Sequence, residues 1–158
     1  MVRKSSSRRQ VDKQLSFALY GAASRMVRMH KPLLEPLGLT FPQYLVIVEL
    51  LDSVSRSVGE LGARLGMDTG TITPLLKRME QLGQVTRKRD SQDERRVLVE
   101  LTPAGAALQN AVWAVPDRIA SACRMTEQRA DNLREELDQL GRPAVPIADP
   151  TEPSLQTA

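Results

Sequence analysis

At 158 residues, 41% hydrophobic and 26% charged, the chain is long enough for one compact domain, and 3% aromatic content beside abundant Leu, Val, Ala, Arg and Glu favours helical packing over a β-sandwich. No apolar run nears the roughly 20 residues that cross a bilayer and MVRKSSSRRQ lacks a signal-peptide core, so a cytoplasmic protein is expected; the single cysteine, Cys123, excludes an internal disulfide, and no Cys/His cluster suggests a metal or other cofactor. The net charge of +3 is modest but uneven: residues 1–13 carry a net +4 and residues 127–158 a net −4, so any nucleic acid should meet the front and middle of the chain.

The first ten residues are rich in Ser and Arg without apolar periodicity, and residues 142–158, RPAVPIADPTEPSLQTA, are rich in Pro. Both read as disordered tails around a single domain at 11–141. From Leu15 to Leu37, apolar residues at Leu15, Leu19, Ala22, Ala23, Met26, Leu33, Leu34 and Leu37 predict a long first helix with an interruption at Pro32. In LTFPQYLVIVELL, Thr40 can cap, Pro42 suits a first turn, and the apolar run predicts a core helix ending near Asp52.

SVGELGARLGMD predicts a short helix with Val58, Leu61 and Leu65 inward, closed by Gly66, and TGTITPLLKRMEQLG follows almost at once. Two helices across a tight turn containing Gly make a helix-turn-helix candidate. In the second, Ile72, Leu75, Leu76, Met79 and Leu82 share one face, leaving Gly70, Thr73, Lys77 and Gln81 opposite, flanked by Thr69 and Arg78. QVTRKRDSQDERRVLVELTP then predicts a β-hairpin, with strands Val85–Lys88 and Val97–Leu101 around a charged turn. Beyond Pro103, apolar residues at Leu108, Val112, Val115, Ile119 and Ala122, then Leu133, Leu137 and Leu140, predict two more helices or one bent near Pro116.

A polar helix face after a tight turn, followed by a basic hairpin, is the order that places a helix in the major groove and a wing along the backbone or minor groove. Either part alone is weak evidence, since a charged hairpin is ordinarily a solvated surface; their adjacency carries the reading. The candidate DNA contacts are Thr69, Gly70, Thr71, Thr73, Lys77, Arg78 and Gln81 on the helix, with Arg87, Lys88, Arg89, Asp93, Arg95 and Arg96 in the wing. Within the wing, Asp93 is placed to hold Arg95 and present it to a narrow minor groove.

The stretch VGELGARLGMDTGTITPLLKRMEQLGQVTRKRDSQDERRVLVELTPAG, with its D-x-R wing at Asp93 and Arg95, resembles the multiple antibiotic resistance regulator (MarR) family. QLSFALYGAASRMVRMHKPLLEPLGLTFPQYLVIVELL extends the resemblance toward the organic hydroperoxide resistance regulator branch, over roughly residues 11–125. The resemblance implies a mainly α winged helix-turn-helix fold with a small β-hairpin, and a homodimer joined by N- and C-terminal helices at about 11–37 and 103–141. It also implies a DNA-binding lobe at about 41–102, a pseudo-palindromic operator, and repression relieved by a small molecule or an oxidant in a stress response.

In that branch a reactive cysteine in a Q-L-C-F context is held by two tyrosines of the partner subunit. The matching positions here are Ser16, His30 and Phe41, and serine cannot form a sulfenic acid. Tyr20 and Tyr44 still match. Ser16, Tyr20, Ala23, Val27 and His30 follow one helical stripe, and Leu19, Tyr20, Ala23, His30, Phe41 and Tyr44, with Ser16, are the candidate lining of a ligand cleft. Cys123 falls near the resolving cysteine of two-cysteine members; a buried inert thiol and an intersubunit switch are both open. Two other functions compete: a thiol-dependent peroxidase using Cys123 with His30 as base, which lacks an orienting third group, and a dimerisation module without DNA affinity.

Overall fold

Leu15–Leu34 form α1, and Pro32 sits inside it without ending it; the chain tightens three residues later into a 3₁₀ turn, Glu35–Leu37, closed by Gly38 at φ 67°. The computed structural model describes residues 10–53 and 55–140, so the tails expected at 1–10 and 142–158 lie, Gln10 apart, outside the described residues. The chain divides into two compact units, Met1–Ile119 and Ala120–Ala158. Among the described residues no single helix is long and apolar enough to cross a membrane.

In the first unit, α2 (Phe41–Leu51) starts where Thr40 donates its backbone N–H to Gln43 Oε1 at 2.8 Å, with Pro42 in the first turn. Val46, Ile47 and Leu50 are buried, which makes this the central helix. A two-residue strand, β1 (Arg56–Ser57), precedes α3 (Val58–Leu65). The α3 N-terminus is a reciprocal cap: Glu60 N donates to Ser57 Oγ at 3.2 Å, and Ser57 N donates to Glu60 Oε2 at 2.7 Å.

Gly66, at φ 62°, closes α3 in the left-handed region, and Met67 N returns a 2.8 Å hydrogen bond to Gly62 O. Helix α4 (Thr69–Gln81) begins at once, capped by Asp68, whose Oδ1 accepts from Thr71 N at 2.7 Å. Ile72, Leu76 and Met79 are buried as the spacing required, and Leu75 packs at the edge. Leu82 departs from the expected inner face. It is the C-cap residue, one position past the last helical turn, and stands 55% exposed.

Strands β2 (Val85–Arg89) and β3 (Val97–Leu101) form the expected hairpin, with β2 one residue longer than predicted. The sheet has a third member: β1 pairs antiparallel with β3 through Arg56 opposite Val99 and Ser57 opposite Leu98, giving the order β1-β3-β2. Two residues carry no readable alternation, which is why β1 is invisible in the sequence. Val85 and Val99 point into the core shared by α2, α3 and α4.

The segment after Pro103 is more broken than one or two helices. It forms α5 (Pro103–Ala106), α6 (Gln109–Trp113) and α7 (Val115–Ala122), with Val112 and Val115 completing the core. Thr102 Oγ1 caps α5 through Gly105 N at 3.0 Å and donates to Gly83 O at 2.6 Å, pinning this turn to the start of β2. In the second unit, α8 (Glu127–Leu140) has no buried residue, and Leu133, Leu137 and Leu140 stand exposed in the single chain.

A Cβ at Gly62 would lie 2.8 Å from the backbone oxygen of Met67, too close for the turn between α3 and α4 to keep its shape. Gly62→Ala is therefore expected to lower unfolding free energy by about 1–3 kcal/mol in urea denaturation. Gly59→Ala, in the same helix with nothing within 4 Å of its Cβ position, should be neutral or stabilising by about 0.5–1 kcal/mol.

Candidate nucleic-acid interface

Burial of Ile72, Leu76 and Met79 turns the opposite side of α4 to solvent, where Thr69, Gly70, Thr71, Lys77, Arg78 and Gln81 are exposed and Thr73 is half-buried. Every helix residue expected from the sequence to face DNA thus stands on or beside one surface. Lys77 and Arg78 form no ion pair among the described residues. The backbone N–H groups of the first turn add partial positive charge, one of them satisfied by Asp68.

The wing turn is ordered by its own backbone and carboxylates. Asp90 N donates to Arg96 O at 2.9 Å, Arg96 N to Asp93 O at 2.8 Å, and Gln92 N to Asp90 Oδ1 at 2.9 Å. Asp93 Oδ1 accepts the backbone N–H of Arg95 at 3.1 Å and lies 3.4 Å from Arg95 Nε, while the Arg95 side chain remains 93% exposed. Asp93 therefore steers Arg95 from its base and leaves the outer guanidinium nitrogens open. That is the arrangement the D-x-R spacing implied.

The other wing cations differ. Arg89 is exposed and forms no ion pair among the described residues, and Lys88 lies 3.7 Å from Glu100. Arg87 is drawn to Glu80 of α4 at 3.4 Å and Arg96 to Glu60 of α3 at 3.1 Å. Beneath the wing, Glu49 of α2 lies 3.2 Å from Arg56 of β1 and also meets Arg64 of α3, joining three elements through one carboxylate. Sequence reading missed Glu49, Glu80, the Asp68 cap and the Ser57–Glu60 cap, of which the last carries an S-x-x-E signature that could have found it.

Hydrogen bonds from Ser57 hold the Glu60 carboxyl below the ordinary range, with Arg96 and Arg56 adding to the effect, and hydrogen bonding by Thr71 does the same for Asp68. Both groups serve the helix caps in ionised form.

The residues expected to line one ligand cleft divide. His30, Phe41 and Tyr44 meet: His30 packs edge-on to Phe41 with centroids 4.8 Å apart and lies 5.8 Å from Tyr44. His30 Nδ1 is 2.8 Å from Met26 O, so that nitrogen carries the proton, and burial raises the Tyr44 hydroxyl pKa. Ser16, Tyr20 and Ala23 lie on the exposed first half of α1, with Leu19 half-buried. A helical rise separates Ser16 from His30 by about 21 Å, so one chain cannot bring them together. A cavity of about 440 Å³ does open beside the aromatic group, lined by Val27, Arg28, Lys31, Leu34, Leu39 and Phe41 among others, and shares only Phe41 with the expected set. Cys123 is half-buried in the second unit.

The fold and this surface define a winged helix-turn-helix protein with an exposed cationic face on α4 and the wing. A protein-family model described as "Transcriptional regulator SarA/Rot" matches residues 28–112, more than half of the chain. The organic hydroperoxide resistance transcriptional regulator of Bacillus subtilis (strain 168) is 40% identical over 79% of this chain and 83% of that protein. The regulator TtmR of Methylorubrum extorquens (strain PA1) is 44% identical over 82% and 69% of the two chains. The DNA-bound structure of reduced AbfR, a protein of Staphylococcus epidermidis, superposes with a TM-score of 0.70 at 31% identity, covering 82% of this chain and 90% of that one. A mutant MarR from E. coli complexed with operator DNA gives 0.72 at 26% identity over 80% and 92%. This chain belongs to the MarR family of winged helix-turn-helix transcriptional regulators.

Because the carboxyls of Asp68 and Glu60 are depressed in the folded state, their contribution to stability is complete above the ordinary carboxyl range and is lost as pH falls through the folded pKa values. The thermal midpoint should drop on acidification below about pH 4–5. Asp68→Asn should keep the cap at neutral pH and lose part of this acid limb, whereas Asp68→Ala should lower the midpoint at every pH. Parallel pH profiles for wild type and Asp68→Asn would remove Asp68 from the account.

Proposed function

We propose that the protein is a homodimeric repressor that binds a pseudo-palindromic duplex with α4 in the major groove and the wing along the backbone and minor groove. The observation that carries this reading is Arg95, almost wholly exposed in the wing turn yet steered at its base by Asp93, beside an α4 face rich in hydroxyls and cations. Thr69, Thr71, Thr73 and Gln81 supply hydrogen bonds, Gly70 permits close approach, and Lys77, Arg78, Lys88 and Arg89 neutralise phosphate. Relatives solved on DNA support a DNA-binding role: reduced and overoxidised AbfR, and a mutant MarR.

Dimerisation is assigned to the helices at about 11–37 and 103–141, leaving about 41–102 as the DNA-binding lobe. Support comes from apolar side chains that solvent would otherwise meet: Leu15, Phe17 and Tyr20 on α1 and, separately, Leu133, Leu137 and Leu140 on α8. The releasing signal is a small molecule or an oxidant. The 440 Å³ cavity, with apolar Val27, Leu34 and Phe41 beneath Arg28 and Lys31, suits an amphipathic ligand. Ser16 removes the thiol of the hydroperoxide-sensing branch, so an oxidant can act on a thiol only at Cys123, the single cysteine. The chain is assigned no catalytic role.

Fluorescence anisotropy on duplex DNA from the gene's own upstream region tests the reading. Tight, salt-dependent binding is expected, and weak binding without salt dependence would favour a dimerisation module instead. Arg95→Ala should weaken operator binding by more than roughly ten-fold without unfolding the protein. Lys77→Ala should weaken binding to all duplexes similarly, and loss confined to the operator would reassign Lys77 to base reading. Release by an organic hydroperoxide that a thiol reductant reverses, and that Cys123→Ala abolishes, would place the switch at Cys123; binding indifferent to peroxide would direct the signal to the cavity.

A further inference from the structure

Five basic side chains crowd the wing, and counted by charge alone all five would meet phosphate. Their environments sort them. Arg95 is 93% exposed, Arg96 46% and Arg87 only 18%. The two withdrawn arginines are those paired to acids outside the wing, and each acid sits on a different helix of the helix-turn-helix. Glu80 of α4 takes Arg87 of β2 through Oε2 and Nη1 at 3.4 Å. Glu60 of α3 takes Arg96, the residue before β3, through Oε1 and Nη2 at 3.1 Å, with Asp90 Oδ2 3.9 Å from Arg96 Nε.

Glu60 is no ordinary surface partner. Its second carboxylate oxygen accepts from Ser57 N at 2.7 Å, and Ser57 in turn pairs with Leu98 in the sheet. One carboxylate thereby joins the start of α3, strand β1 and the wing. Because the helix cap already immobilises Glu60, gripping Arg96 costs little further side-chain freedom. Between the two tethers runs a groove of about 330 Å³, walled by Val58 and Gly59 of α3, Thr73 of α4, and Arg87, Arg95 and Arg96 of the wing. Its width is the distance from wing to reading helix.

We propose that Glu60 and Glu80 are specificity-determining residues, which hold Arg96 and Arg87 back from phosphate and fix the wing against α4. Arg95, steered by Asp93, is then the wing arginine presented to the groove, with Lys88 and Arg89 left to the phosphate backbone. Neither acid touches DNA in this scheme; both act by positioning, and the scheme rests on the DNA-binding reading above. Removing the negative charge releases an arginine to any phosphate within reach, which strengthens sequence-independent binding while loosening the wing's angle. The variants should therefore bind random DNA better and discriminate worse.

The test uses the full chain, the tightest duplex that wild type recovers from a random pool, and a random-sequence duplex of equal length, titrated by anisotropy from about 50 to 200 mM KCl. Glu60→Gln keeps an acceptor for the α3 cap, so the fold is preserved although the stability that depends on the charge is lost, and a cooperative thermal transition at neutral pH, modestly lowered in midpoint, checks it. On random duplex its slope of log affinity against log salt should steepen by about 0.9, one added phosphate contact, and Glu60→Gln with Glu80→Gln by about 1.8. The ratio of selected to random affinity should fall at least roughly five-fold. Adding Arg96→Gln to Glu60→Gln should return the slope to the wild-type value. Unchanged slopes and ratio, or equal weakening on both duplexes, would overturn the tethers while leaving the regulator reading intact; failure of wild type to bind any duplex would overturn that reading instead.

Discussion

The burial of one face of α4 is the constraint on which the rest depends. Ile72, Leu76 and Met79 are almost wholly removed from water against Val46, Ile47, Leu50 and Leu61, each such side chain worth about 1.5–3 kcal/mol of transfer free energy. This fixes the rotation of the helix about its axis. Once three side chains must point inward, Lys77, Arg78 and Gln81 have nowhere to go but outward, and the reading face follows from the core.

Translation and tilt are set separately. The Gly62–Met67 hydrogen bond and the left-handed Gly66 bring α4 close behind α3, and the Asp68 cap determines where α4 begins. Acids then do for the wing what the apolar core does for the helix. Glu49 joins α2, β1 and α3, while Glu60 and Glu80 each hold one side of the hairpin. The lobe is consequently assembled from an apolar interior and a shell of carboxylate–guanidinium contacts beneath a cationic surface. Such contacts are individually weak in water, so their effect lies in geometry more than in stability.

The first and last helices obey a different logic. The first half of α1 and all of α8 hold no fully buried residue in the single chain, although both carry apolar residues at helical spacing. In the single chain Leu15, Phe17 and Tyr20 of α1 and Leu133, Leu137 and Leu140 of α8 stand exposed. The positions expected to line one cleft also divide: Ser16 and Tyr20 are displayed on α1, whereas His30, Phe41 and Tyr44 are packed together.

Local signals were enough for much of this protein. The period of Ile72, Leu76 and Met79, the Gly66 stop and the Asp93-x-Arg95 wing each act within a few residues, so helix-turn-helix, wing and their order could be read directly. Contacts between distant segments could not. Two-residue β1 exists only because β3 is there to pair with it, and Leu82 lies outside its stripe because the helix ends one residue earlier. The D-x-R spacing set Arg95 apart, but nothing local separated Arg87 and Arg96 from the remaining wing cations; what holds them is Glu80, seven residues away, and Glu60, thirty-six away. Which cation is held and which is offered is a property of through-space distance, and that only the tertiary structure decided.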